Sequence, residues 1–222
     1  MKRLLAPASL LLLAGCQQPG PAVPRPYAAA EEGLTLVYIN PSLPQDQQAA
    51  QRLQVRVDKV LDREDGATVV AKSFTVGVQL PFQSRFALKD GGVGLLSPDG
   101  KSEMPLLPAG FPDSPETWAR PGAQCHILGR GAWTMGAKVL PADRVAEGVW
   151  VEVRTEDGAL SRTLYLPGLG EVQTDERQAD GRWVTVNLLT QFGFTDLPMT
   201  PPSDKPADKP AKKRAAKTKS KH

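Results

Sequence analysis

Hydrophobic and polar residues alternate along most of the middle of this chain, with the period of two that marks a strand buried on one face. Leu53, Val55 and Val57 alternate with Gln54, Arg56 and Asp58, and Val149, Val151 and Val153 with Trp150, Glu152 and Arg154. Residues 34–39 are β-favouring and stop at Asn40-Pro41; residues 68–79 are rich in Val and Thr and follow the turn Asp65-Gly66. Residues 85–88 and 93–96 flank Lys89-Asp90-Gly91-Gly92, a hairpin signal. Glu156-Asp157-Gly158 precedes a strand at 163–166, and Ala179-Asp180-Gly181 separates strands at 171–177 and 182–188.

This pattern predicts a mainly β domain: antiparallel strands joined by tight turns, in a sheet long enough to curl over its own core as a half-barrel. Residues 44–64 fit two readings. A helix would place Ala49, Leu53, Val57, Val60 and Leu61 on one face. The favoured reading is irregular chain or one short helical turn to about Gln51, then strand. Residues 98–122 carry prolines at 98, 105, 108, 112, 115 and 121, and are expected to form a loop that crosses or covers the sheet.

The flanks have a different composition. Lys2 and Arg3 precede an apolar run at 4–14, followed by small residues. That is the layout of a secretory signal. The run is about half of the roughly 20 residues a membrane span needs. Residues 17–33 hold Pro19, Pro21, Pro24 and Pro26 without hydrophobic periodicity. Such a chain favours an extended spacer, with a reach of up to ~50 Å at ~3.1 Å per residue.

From Pro201 the chain lacks aromatics and any aliphatic side chain larger than alanine, so it cannot bury enough surface to become ordered. Its basic residues are Lys205, Lys209, Lys212, Lys213, Arg214, Lys217, Lys219 and Lys221; against Asp204 and Asp208 they leave six net positive charges. Subtracting those six and the two of Lys2 and Arg3 from the chain's +3 leaves −5 for residues 16–202. The basic character therefore belongs to the ends. Such a tail suits an anionic cell-wall polymer or lipid headgroups, or serves solubility alone. An exported chain is not expected to meet nucleic acid.

Leu13-Ala14-Gly15-Cys16 resembles the lipobox of bacterial lipoproteins. The resemblance implies cleavage before Cys16, a diacylglyceryl thioether on its sulfur and acylation of the new amino terminus. Each buried CH₂ contributes about 0.8 kcal/mol, and stable anchoring needs more than one chain. Gln17 in place of Asp resembles the pattern sorted to the outer membrane of a diderm cell. The expected organisation is a signal peptide at 1–15, a lipidated tether at 16–33, a β-rich domain at 34–200 and a disordered tail at 201–222.

A second resemblance covers roughly residues 100–190. Val139-Leu140-Pro141-Ala142-Asp143, the alternating valines at 149–153, and Thr163-Leu164-Tyr165-Leu166-Pro167-Gly168-Leu169-Gly170-Glu171-Val172 resemble a bacterial envelope module with a "VPAG" turn and a "W-Y-A-P-G-V-G-x-V" hairpin. That module implies curved antiparallel sheets, loosely like the half-barrel carriers of the Lol system. Asp143 departs from it, as do Leu164 and Leu166. Gly168 and Gly170 are expected to bend the chain sharply between strands.

Candidate chemistry is sparse. His126 adjoins Cys125, but successive side chains on a strand point to opposite faces, which separates a would-be nucleophile from its base. A buried thiol beside a surface imidazole is expected instead. No metal-ligand spacing or phosphate-cradle context appears, so neither metal nor cofactor is expected. Trp118, Trp133, Trp150 and Trp183 are expected to pack in the core rather than line a groove. These features favour a non-catalytic binding or structural module of the envelope. The alternatives are a lipid or lipoprotein carrier with an open apolar cavity of about 300–1,000 Å³, and a glycan hydrolase with carboxylates paired at ~5–9.5 Å.

Overall fold

The structure is a computed structural model and describes residues 25–113, 115–133 and 146–194. Cys16, the VPAG-like stretch at 139–143 and the basic tail lie outside the described residues.

Twelve antiparallel strands follow one another in a single sheet. The first six are β1 (Thr35–Ile39), β2 (Leu53–Asp62), β3 (Thr68–Val76), β4 (Phe82–Lys89), β5 (Gly92–Leu96) and β6 (Glu103–Leu107). The others are β7 (Thr117–Arg120), β8 (Ala123–Trp133), β9 (Ala146–Thr155), β10 (Leu160–Leu166), β11 (Gly170–Arg177) and β12 (Trp183–Gly193). From β1 to β6 and from β7 to β12 each strand pairs with the next in sequence, and β12 returns to pair with β1, Thr35 opposite Gly193. Of the consecutive strands, β6 and β7 share no ladder. There the indole Nε1 of Trp118 donates to the Leu106 carbonyl at 3.3 Å. The sheet is thus a nearly closed up-and-down barrel, more complete than a half-barrel.

The alternation read from the sequence sets which side chains face inward. Val149, Val151 and Val153 are buried on β9, as are Val55 and Val57 on β2. Ladder irregularities help the sheet curve, because an extra residue on one strand bends it and increases its twist. One lies between Ile127 and Gly129, where Gly129 adopts φ +127°, a conformation other residues rarely take. Helix α1 (Gln45–Ala50) is a single short turn between β1 and β2, and the strand reading of the residues after it holds.

Two expectations change. The proline-rich stretch at 98–122 contains β6 and β7. Pro105 is admitted because β6 is an edge strand, where one side of the backbone has no ladder to supply. Residues 25–33, expected to end the tether, are packed instead: Ala28 and Ala29 are buried, and the Tyr27 ring meets Phe111 edge-on at 4.9 Å between centroids. Gly168 and Gly170 explain the docking. Both have positive φ in the β10–β11 turn. Gly168 donates its N–H to the Pro26 carbonyl at 2.7 Å, and a Cβ on Gly170 would stand 3.2 Å from Ala28 Cα.

Candidate functional site in the barrel interior

The barrel interior is not packed solid. A cavity of about 250 Å³ runs between the docked Tyr27–Ala28 and residues of β1 to β6 and β10 to β12. Its apolar wall includes Leu36, Val55, Phe74, Phe86, Val93 and Leu107. Phe74 is fixed between two other rings, stacked on Phe82 at 5.1 Å and tilted against Phe86 at 6.2 Å.

Polar groups enter this wall at two places. On β11 and β12, Glu171 Oε1 accepts from Thr174 Oγ1 at 2.7 Å and from Asn187 Nδ2 at 2.9 Å. Thr174 is in turn 3.1 Å from Thr163 Oγ1. Tyr38 Oη donates to the Glu171 backbone carbonyl at 2.8 Å. Burial holds the Tyr38 phenol well above its usual pKa, with Glu171 adding to the effect, and burial does the same to Tyr165. Both phenols are neutral at physiological pH.

The second place is Lys72 on β3. It falls in phase with Val70 and Phe74, so the strand period turns its side chain inward. It is 9% exposed, and its ammonium lies 5.0 Å from the Phe86 ring centroid. Among the described residues no carboxylate forms an ion pair with it. Burial pushes its pKa down to about 8. The sequence signal was a lone lysine at an inward position of an otherwise apolar strand face.

The residues singled out in the sequence do not converge here. Cys125 is buried, and burial raises its thiol pKa, partly offset by Arg120. Its neighbour His126 points outward, with Nε2 3.3 Å from Glu116 Oε1. The pair therefore lies as the strand period requires. Trp133 is core and Trp118 packs at the seam. Trp150, which also packs against the core, and Trp183 flank the Arg162 guanidinium at 5.1 and 4.7 Å, and Arg162 pairs with the buried Asp175 at 2.9 Å. Among the described residues no three His, Cys, Asp or Glu side chains are grouped to hold a metal, and no helix is long and apolar enough to cross a membrane.

Beside the docked segment lies a wider, open cleft of about 840 Å³, bordered by Arg25, Lys89, Asp90, Asp113 and Arg130. Arg130 stands 4.0 Å from Asp113 and 3.9 Å from Glu147, so opposite charges offset one another there. The interior differs in that, among the described residues, its cation Lys72 forms no ion pair.

No protein-family model and no curated protein matches the chain. Among solved structures it is similar to a Bacteroides fragilis chain designated an exported protein with a YmcC-like fold. The two are 14% identical over 76% of this chain and 99% of that one, with a TM-score of 0.47. It is also similar to a chain from Parabacteroides distasonis designated a lipoprotein, at 11% identity over 77% and 100% of the two chains and a TM-score of 0.43. Likenesses of this degree leave function to be read from the chain's own residues.

Proposed function

We propose that this chain is a lipid-anchored, non-catalytic binding module of the bacterial cell envelope, whose binding site is the interior of its barrel. The observation that carries the reading is the cavity of about 250 Å³ with a mostly apolar wall. The cavity is half open to solvent, so a guest can reach its apolar wall, and removing that wall from water is favourable.

The remaining parts follow from the sequence. Lipid on Cys16 fixes the module to a membrane, the outer membrane by the character of Gln17. The residues ahead of the docked segment, 17–24, space it from the bilayer, and the basic tail adds salt-sensitive attraction to anionic surfaces. The carrier alternative calls for an open apolar cavity of about 300–1,000 Å³ and for release of what is bound; the cavity here, about 250 Å³, lies below that range. A hydrolase fits less well: Glu171 is the carboxylate on the cavity wall, and it is tied to Thr174 and Asn187.

The test is a neutral apolar fluorophore, N-phenyl-1-naphthylamine, titrated into the mature chain carrying Cys16→Ser. Saturable enhancement near one equivalent is expected, and Val93→Trp, which fills the cavity, should remove it. Absence of saturable binding, or binding untouched by Val93→Trp, would remove the interior from consideration.

A further inference from the structure

Packing does not account for Lys72. A fold that needed only bulk at this position would carry Val, Leu or Met, because replacing a buried ion with an apolar side chain of similar volume is usually neutral or stabilising. Instead a nine-tenths buried lysine lines a largely apolar cavity, its ammonium 5.0 Å from the Phe86 ring centroid and paired with no carboxylate among the described residues. Such a charge is matched by an anion that brings its own apolar body, because a carboxylate adds a charge-assisted hydrogen bond.

We propose that the interior takes a single-chain carboxylate amphiphile of the fatty-acid class, its carboxylate on Lys72 Nζ and its alkyl chain along Val55, Phe74, Phe86 and Val93. This rests on the interior being the binding site, and it adds the chemistry of the occupant. Charge sets the head group: one ammonium balances one carboxylate, whereas a phosphate monoester dianion would leave net negative charge in a low-dielectric space. Size sets the tail: about 250 Å³ lies below the ~300–1,000 Å³ of drug-sized sites, which admits one short chain and excludes a two-chain phospholipid. Glu171 sets the orientation. It lies on β11, four strands along the sheet from β3, already accepts from Thr174 and Asn187 and would repel a carboxylate, so the head belongs at Lys72.

The experiment compares three ligands of equal chain length by isothermal titration calorimetry on residues 16–222 carrying Cys16→Ser: decanoate, decan-1-ol and decyltrimethylammonium. Decanoate should bind about tenfold tighter than decanol, the value of one hydrogen bond to a charged group, and the cation should bind weakest. Lys72→Met should erase the advantage of decanoate while retaining decanol. Equal binding of decanoate and decanol by the unsubstituted lysine, or a Lys72→Met variant that keeps the preference, overturns the head-group assignment and leaves the cavity as a site. Binding of none of the three overturns both readings. The ligand series on the Lys72 protein decides the matter even if the variant fails to fold.

Discussion

The indole N–H of Trp118 reaches the carbonyl of Leu106 at 3.3 Å and joins β6 to β7, neighbours in sequence that share no ladder. This bond, with the edge-on packing of Trp118 against Phe111 at 6.2 Å, holds the barrel's open seam. Trp118→Phe should keep most of the ring packing and lose the donor, destabilising the fold by about 1–2 kcal/mol. Native-state hydrogen exchange should quicken in β6 and β7 before other strands. Uniform quickening across the barrel would mean that the seam is held by something else.

Lys72 gives the barrel a pH-dependent stability of known sign. Its folded pKa is about 8 against 10.5 for the free side chain. Between those values the unfolded chain holds the proton and the folded chain has released it, so stability rises with pH across this window. Below about pH 8 both states hold the proton and the penalty is complete. Lys72→Met should therefore be more stable than its parent at pH 7, by about 3 kcal/mol, with the advantage shrinking as pH climbs from 8 towards 10.5. The raised phenols of Tyr38 and Tyr165 weaken both proteins alike at high pH, which is why the difference is the quantity to measure. A pH-independent difference in urea unfolding would contradict a lowered Lys72 pKa in the folded state.

Gly148 sits on β9 where a side chain has no room. A Cβ there would lie 2.6 Å from the Tyr165 backbone oxygen and 2.7 Å from Leu166 Cδ2. Backbone cannot swing aside as a long side chain can, so Gly148→Ala should destabilise by about 1–3 kcal/mol through overpacking. Gly158, where a Cβ would meet nothing within 4 Å, is the control for crowding, although its φ of +86° adds strain of a different origin. Thermal melts in which Gly148→Ala matches the parent would show that β9 and β10 can spread apart.

Two further outcomes concern the ends of the chain. Cys16→Ser should abolish metabolic fatty-acid labelling and release the protein from membranes, and persistence of either would refute the anchor. Deleting residues 203–222 should weaken pull-down by purified cell wall or anionic vesicles at low salt, with little effect at high salt. Unchanged binding would reduce the tail to a solubility device.

Much of this fold could be read from strand periodicity, because residues such as Val149, Val151 and Val153 must share a face. The same rule placed Cys125 and His126 on opposite sides. It failed where composition and position disagreed. Pro105 marks a loop by its chemistry, and only its place beside the open seam makes it tolerable in β6. Strand β8 carries Gly129 and Gly131, so its pattern is interrupted where its backbone bends. The docking of residues 25–33 depends on room made by Gly168 and Gly170, a contact between distant parts of the chain that no local pattern encodes. Lys72 was visible as a lysine in phase with Val70 and Phe74, but whether it met a partner depended on strands far away in sequence.

The pairing of Thr35 with Gly193 makes the sheet indifferent to where the polypeptide begins and ends. Backbone continuity is missing between β12 and β1, yet the ladder continues there; between β6 and β7 the covalent chain continues and the ladder does not. A circularly permuted gene that opened at residues 108–116 and linked the old termini would preserve every strand pairing described. It would also turn the seam into a true gap, free to widen and admit a guest from the side.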